Sequence, residues 1–284
     1  MNNSCPSTNL GKSEQCRGCP NQSLCGSIKP DDFIHSISEN MSHLKLVLAI
    51  MSGKGGVGKS TITRNITEIL SKKKMSPLLI DLDLSGPSIP KMTSTEGEVI
   101  LETNQTIYPI KISDNLGCIS MGYFDNVEVY TSSLKTNIIR NIFSTSHIKD
   151  YDVVIIDTPP NITDEHLAIV NYLKVDFCII VTTPQMLSFQ DVKRQFSFCR
   201  KNNIKILGVI ENMKGFQCEK CECREDVFYD SGIEEQCKEK GIRYLGSIPL
   251  KKEYGKKGDQ GEIIGDPIFE DIGNLIEELY LSKT

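Results

Sequence analysis

The chain is poor in several features that would have marked a role at once. No apolar run approaches the roughly 18 residues of a membrane span, so a transmembrane function is not expected. The opening stretch, MNNSCPSTNL, carries neither a basic region nor an apolar core of the kind that directs secretion. Positive charge is not in surplus. Thirty-two Lys and Arg face 37 Asp and Glu, for a net charge of −5, and that balance argues against a general nucleic-acid binder. Histidine is scarce, and its four copies show no metal-ligand spacing. Neither an internal repeat nor a low-complexity tract is visible. Together these absences point to a cytoplasmic protein that works on neither membrane nor nucleic acid.

What is present is enough apolar sequence for a core. With 284 residues, 39% hydrophobic and 24% charged, the chain can build one large α/β domain and an appendage. Residues 1–43, rich in Ser, Asn, Gly and Pro, read as an irregular cysteine-bearing segment. An alternating pattern follows from 44 to 284. Strands are expected at LKLVLAI (44–50), PLLIDLDL (77–84), YDVVIIDTPP (151–160), DFCIIVTTP (176–184), IKILGVIENM (204–213) and GIRYLGSIP (241–249), with shorter ones within 106–122. Helices are expected after residue 60 and around 134–147, 187–202 and 267–281. A polar insert covers about 214–232. Apolar strands alternating with helices give a doubly wound, mainly parallel sheet, and ligands in such sheets bind beyond the carboxyl ends of the strands.

The first of those ends opens into GKGGVGKS (53–60), which fits G-x-x-x-x-G-K-[ST], the P-loop. Its glycines let backbone N–H groups wrap a phosphate chain, and the following helix N-terminus favours an anion. The candidate nucleotide contacts are Gly53, Gly55, Gly56, Val57, Gly58, Lys59, Ser60 and Thr61, with Ser60 also offering a hydroxyl to Mg²⁺. Asp157 ends VVIID, where a Walker B aspartate holds Mg²⁺ directly or through water. Asp81 and Asp83 end LLIDLD, where a carboxylate can position a water for attack. Lys54 is a second lysine that a P-loop does not need. It suits a role across a dimer face, stabilising charge on the partner's nucleotide as an arginine finger does.

Eleven cysteines, an odd number, do not read as a disulfide framework. Two C-x-x-C pairs occur, where about 0.4 is expected by chance. Cys16, Cys19 and Cys25 lie in CRGCPNQSLC, after Cys5. Cys218 and Cys221 lie in CEKC within the insert, with Cys223 close behind. Thiolates at this spacing suit Zn²⁺ or an iron–sulfur cluster, and for the N-terminal four the spacing favours neither. Cys118, Cys178 and Cys199 fall in apolar patterns and read as core, and Cys237 as unligated.

The two-lysine phosphate loop resembles the deviant Walker A of the MinD/ParA/Mrp P-loop ATPases. GPSIP (86–90), DTPP with TDEH (157–166) and GVIENMKGF (208–216) resemble its Mrp/NUBP branch, the scaffold ATPases of cytosolic iron–sulfur cluster assembly. The resemblance implies catalytic roles for Lys54, Lys59, Asp83 (orienting water) and Asp157. It also implies adenine contacts from Asn212 and Pro249. It implies [4Fe–4S] clusters: one on Cys5, Cys16, Cys19 and Cys25 of each subunit, and one bridging a dimer through Cys218 and Cys221. The implied partners are a second copy or a paralogue, assembly factors and apo iron–sulfur proteins. The chain departs from the family at Asn161-Ile162, where Gly-Thr is usual, and at 128–137, which lacks the usual Trp-Arg-Gly-Pro. It departs again between Cys5 and Cys16, with ten intervening residues rather than thirteen. Two other readings stand beside this one: a MinD/ParA-like positioning ATPase, and a zinc-stapled regulatory P-loop protein. The acidic tail DPIFEDIGNLIEELYLSKT disfavours the first.

Overall fold

The computed structural model describes residues 30–83, 86–103, 106–124, 132–218, 220–221, 223–228 and 232–283. Its centre is a nine-stranded sheet. Strand β1 (Leu46–Ser52) lies between β7 (Val153–Asp157) and β8 (Phe177–Thr182), parallel to both. Beyond β7 come β2 (Pro77–Asp81), β6 (Leu116–Ser120) and the antiparallel edge strand β5 (Ile110–Ser113). Beyond β8 lies β9 (Lys205–Gln217), flanked by β11 (Tyr244–Leu250) in parallel and by the short antiparallel β10 (Arg224–Glu225). Strands β3 (Leu101–Thr103) and β4 (Thr106–Tyr108) pair separately.

Every residue of β1, β2, β6 and β7 is buried, because helices cover both faces. Side chains alternate along a strand, and β1 divides its own between two cores. Val47, Ala49 and Met51 join the apolar cluster that includes Ile142 and Phe143 of α4 (Ser132–Thr145), Ala168 of α5 (Asp164–Tyr172) and Val192 of α6 (Met186–Lys201). Leu46, Leu48 and Ile50 join Ile62, Ile66 and Leu70 of α2 (Lys59–Lys72) and Phe269, Ile272 and Ile276 of α9 (Pro267–Leu281). This is why the strands read as continuous apolar runs rather than alternating ones. Among the described residues no helix is long and apolar enough to cross a membrane.

Three expectations need correction. The N-terminal segment is not irregular to residue 43, since Pro30–Met41 forms helix α1 and packs on α4. Ile37 is fully buried, and Asn40 Nδ2 donates to the carbonyls of Phe143 and Ser146, each at 3.0 Å. The signal was the i, i+4 spacing of Ile37 and Met41, hidden by the polar residues between. Strand β9 does not stop at 213. It continues to Gln217 and makes a hairpin with β10, so the insert begins as sheet. A helix, α8 (Lys252–Asp259), stands where none was expected; its two glycines, three lysines and two acids masked the pattern. It follows α7 (Ile233–Glu239) and β11.

Helix α1 is therefore part of the core of the domain. Ile37→Ala should lower unfolding stability by about 3 kcal/mol, as loss of a buried branched side chain does, measured by urea denaturation. A loss below about 1 kcal/mol would show that α1 rests on the surface instead.

Candidate functional site

Strand β1 ends at Ser52 and the chain turns through Gly53–Gly58 into α2. Gly56 and Gly58 take φ of 74° and 82°, the left-handed region that glycine enters without strain. A Cβ on Gly58 would collide with Asn212 Nδ2, and one on Gly53 with Asp191 of α6. Helix α2 has no side-chain cap at its start among the described residues. Its first N–H groups are thus left for an anion. Gln195 Nε2 of α6 donates to Ser52 O at 3.1 Å and holds the loop's root. Ser52, Lys54–Thr61, Asp83 and Pro160 line a cavity of about 260 Å³.

Behind the loop lies a buried ionic cluster. Lys59 Nζ donates to Asp157 Oδ1 at 2.8 Å, and so does the Thr63 hydroxyl at 2.8 Å. Lys59 and Asp157 side chains are 6% and 1% exposed. Asp157 Oδ2 is buried without a hydrogen-bond partner among the described residues. The β2–β7 register sets Asp81 directly opposite Asp157. Burial, and then the Asp157 charge, push the Asp81 carboxyl up to about 7, against hydrogen bonds from Ser120 and the Asp83 N–H and the Lys59 charge. Asp81 is thus a wall of the site rather than a solvated rim acid. Asp83, two residues on, reaches the cavity itself.

Lys54 Nζ donates to Gln185 Oε1 at 2.6 Å, at the turn between β8 and α6. On the far side of Gly58 opens a second cavity of about 440 Å³, which shares Gly58 and Thr61 with the first. Asn212, Pro249, Met213, Phe216, Leu250 and Tyr254 are among its lining residues. Asn212 Nδ2 donates to the carbonyl of Val57 at 2.8 Å, tying this cavity to the phosphate loop. A small polar cradle joined to a larger, more apolar chamber matches the two halves of a nucleotide.

In the TDEH segment, Thr163 and His166 form a capping box at the start of α5. Burial drives the His166 imidazole down to about 4, so it is neutral at pH 7. Burial opposes the Glu165 charge most strongly, but hydrogen bonds from Lys135, at 2.8 Å, from Thr163 and from its own backbone N–H, with the Lys135 charge, together outweigh it and hold this carboxyl below its usual range. Asn161 has φ of 64°. The departure from glycine there keeps a residue that tolerates the left-handed region, and its N–H donates to Ser52 O at 3.0 Å.

Cys218 and Cys221 lie in the β9–β10 hairpin loop, half-buried and exposed respectively, with Cys223 exposed. Cys218 N–H donates to Cys223 O at 3.0 Å. Cys118, Cys178, Cys199 and Cys237 are buried, as their apolar patterns indicated. Cys5, Cys16, Cys19 and Cys25 lie outside the described residues. Sequence reasoning missed Thr63, whose i+4 spacing from Lys59 could have revealed it. It also missed Ser120, Gln185 and Gln195, which carry no motif and reach the site through the fold.

Fold and cradle together define a P-loop NTPase. Residues 43–278 match the ParA family model described as the NUBPL iron-transfer P-loop NTPase, and the chain belongs to that family. It is 39% identical over 273 residues to the cytosolic Fe-S cluster assembly factor NBP35 of Kluyveromyces lactis, covering 91% of this chain and 84% of that protein. A nucleotide-binding protein of Archaeoglobus fulgidus, solved with ADP, superposes with a TM-score of 0.74 at 26% identity, covering 84% of this chain and 95% of the other. The septum site-determining protein MinD of Pyrococcus horikoshii shares the fold, with a TM-score of 0.64 at 19% identity, over 84% and 98% of the two chains.

The carboxylate pair makes stability depend on pH. Asp81 moves from 3.8 to about 7 on folding, so between those values the folded chain binds more protons than the unfolded one. Its contribution therefore falls as pH rises through that window and is level above it. In nucleotide-free and Mg²⁺-free protein, Asp81→Asn should gain on the wild type by about 1.4 kcal/mol per pH unit across the window. Denaturation at pH 5, 6, 7 and 8 measures this. A constant difference from pH 5 to 7 would mean Asp81 is already ionised there.

Proposed function

We propose that this chain is an ATP-dependent scaffold that assembles [4Fe–4S] clusters and hands them to apoproteins, hydrolysing ATP slowly as a dimer. The observation that carries the reading is one of placement. The phosphate cradle and the hairpin bearing Cys218 and Cys221 both rise from the carboxyl-end rim of one sheet. The cytosol is the compartment this reading implies, by analogy with the yeast relative.

The residues present fit a nucleotide with its metal ion. The α2 N-terminus is uncapped among the described residues, two glycines are left-handed, and Asp157 Oδ2 is buried and unpartnered among the described residues. Ser60 and Asp157 would hold Mg²⁺, which neutralises phosphate charge when bound. Lys59 faces the phosphates, and Asp83 orients the attacking water. Lys54 is held by Gln185 within its own subunit and exchanges that bond for the partner's nucleotide when two subunits face each other. Asn212 and Pro249 receive the adenine.

The cluster is cargo. Cys218 and Cys221 supply two thiolates, and a four-iron cluster needs about four. Each subunit's pair is therefore completed by that of another subunit, either a second copy or a paralogue. The N-terminal cysteines Cys5, Cys16, Cys19 and Cys25 hold a second, intrasubunit cluster and form a unit of their own before the ATPase domain.

Lys59→Ala should weaken MgATP binding at least tenfold by calorimetry, since the cradle loses its buried cation. Wild-type affinity in that variant would overturn the nucleotide assignment. After anaerobic reconstitution, Cys218→Ala should lose the shared cluster and its transfer to an apo-acceptor while keeping the N-terminal one. Cys16→Ala should do the reverse. Iron and sulfide analysis per dimer, with a Mössbauer spectrum, distinguishes these. Full iron content and normal transfer in Cys218→Ala would reduce the hairpin to a plain loop, and zinc in place of iron would turn the N-terminal site into a structural staple.

A further inference from the structure

Strand β9 lines the larger cavity and carries the cysteine hairpin at once. Asn212, Met213 and Phe216 border the 440 Å³ chamber beside the phosphate loop, and Cys218 follows two positions after Phe216. Phe216 is 39% exposed, and Leu250, its cross-strand neighbour on β11, is 38% exposed and lines the same chamber. Two large, partly exposed apolar side chains thus line the same chamber as Gly58 and Thr61. An aromatic ring so placed offers a flat apolar face to a flat apolar ligand.

The backbone of Phe216 is also where the hairpin joins the sheet. It pairs with Leu250 on one edge of β9 and with Glu225 of β10 on the other. Around it the hairpin is fastened closely. Gly215 has φ of 71°, and a Cβ there would stand 2.9 Å from Arg224 Nε. Arg224 Nη2 donates to the carbonyl of Lys214 at 2.7 Å. Lys214 Nζ in turn pairs at 2.9 Å with Glu211, which is fully buried and also accepts from the Tyr244 hydroxyl at 2.7 Å. Met213, with φ of 61°, is a non-glycine residue in the left-handed region, a conformation held against its own preference. The segment from Glu211 to Arg224 is thus anchored at its base, while the Phe216 ring at its top is open to solvent and to the chamber.

We propose that Phe216 is the surface on which the nucleotide base rests, and that through it the occupant of the base chamber sets the conformation of the Cys218–Cys221 loop within the same subunit. This rests on the reading of the chamber as the base site and of the hairpin as the cluster site. It adds a route that needs no change of subunit arrangement. A base seated against the ring buries it and fixes the strand two residues before the first thiol. Phosphate alone, bound at the loop, leaves the ring free.

The test uses the full-length chain, metal-free and reduced, with ADP and inorganic tripolyphosphate as probes. ADP lacks the γ-phosphate, which keeps ATP-dependent subunit contacts out of the measurement. Iodoacetamide labelling of Cys218 and Cys221, read by peptide mass spectrometry, reports the loop. Saturating ADP should slow their labelling several-fold, and tripolyphosphate should leave it unchanged. Phe216→Ala should weaken ADP binding about tenfold, leave tripolyphosphate binding unaltered, and abolish the labelling response even at saturating ADP. Phe216→Tyr, which keeps the ring, should restore both. Equal protection by tripolyphosphate overturns the inference, as does wild-type ADP affinity and labelling in Phe216→Ala. In those cases ADP still binds and the proposed function stands. Failure of ADP to bind the wild type overturns both together.

Discussion

The arrangement depends on a buried ionic cluster, Lys59 with Asp157 and Asp81, at the carboxyl end of the two central strands. Each carboxylate alone would be an ordinary strand-end acid. The β2–β7 register sets them opposite each other, and burial removes the water that would separate their charges. Two carboxylates share one lysine, so the cluster favours further positive charge, and Asp81 answers by holding its proton up to about 7. A buried lysine needs its partner as much, because breaking such a pair strands a charge in a low-dielectric interior. The phosphate loop, the start of α2 and the edge of the sheet are held in place around this balance, with Thr63 donating to the same Asp157 oxygen as the lysine and Ser120 donating to Asp81.

The parallel sheet carries that local chemistry outward. All of its parallel strands deliver their carboxyl ends to one rim, so residues far apart in sequence meet there without any loop reaching for them. Ser52 roots the phosphate loop, Asp81 and Asp157 stand behind it, and β8 leads into the turn that holds Gln185 against Lys54. Strand β9 runs on past the rim, which lifts the cysteine hairpin above the nucleotide chambers. The larger cavity and the cysteine hairpin therefore share one strand, which is the short physical path that the proposed coupling uses.

The departures from the family pattern look different once they are placed. Asn161 replaces a glycine but occupies the left-handed region that asparagine tolerates, so the turn after β7 keeps its course. Ile162 beside it is 39% exposed, an apolar side chain on the surface next to the catalytic rim. Helix α1 shows the reverse case, in which a stretch that reads as polar and irregular is tied into the domain by one buried isoleucine and one asparagine.

The sequence by itself determined the fold class, the phosphate loop and the acids at the strand ends, because each is written in local terms. Period and composition identify buried strands. Glycine spacing identifies a loop that must wrap an anion, and a carboxylate closing an apolar run identifies a rim residue. It also marked Asn212 and Pro249, through a resemblance that spans nearly the whole domain. What only the tertiary structure decided is which groups share a charge and which share a cavity. Asp81 and Asp83 look alike in LLIDLD, yet register buries the first against Asp157 and leaves the second at the cradle. Ser120 and Gln185 have no motif, since hydrogen-bond partners 131 residues apart, as Lys54 and Gln185 are, leave no periodic trace. Phe216 reads as one more apolar residue before a cysteine. Pairing on both edges of β9 is what sets Phe216 on the lining of the larger cavity at the root of the cysteine hairpin, because strand register is a property of the assembled sheet and not of any one segment.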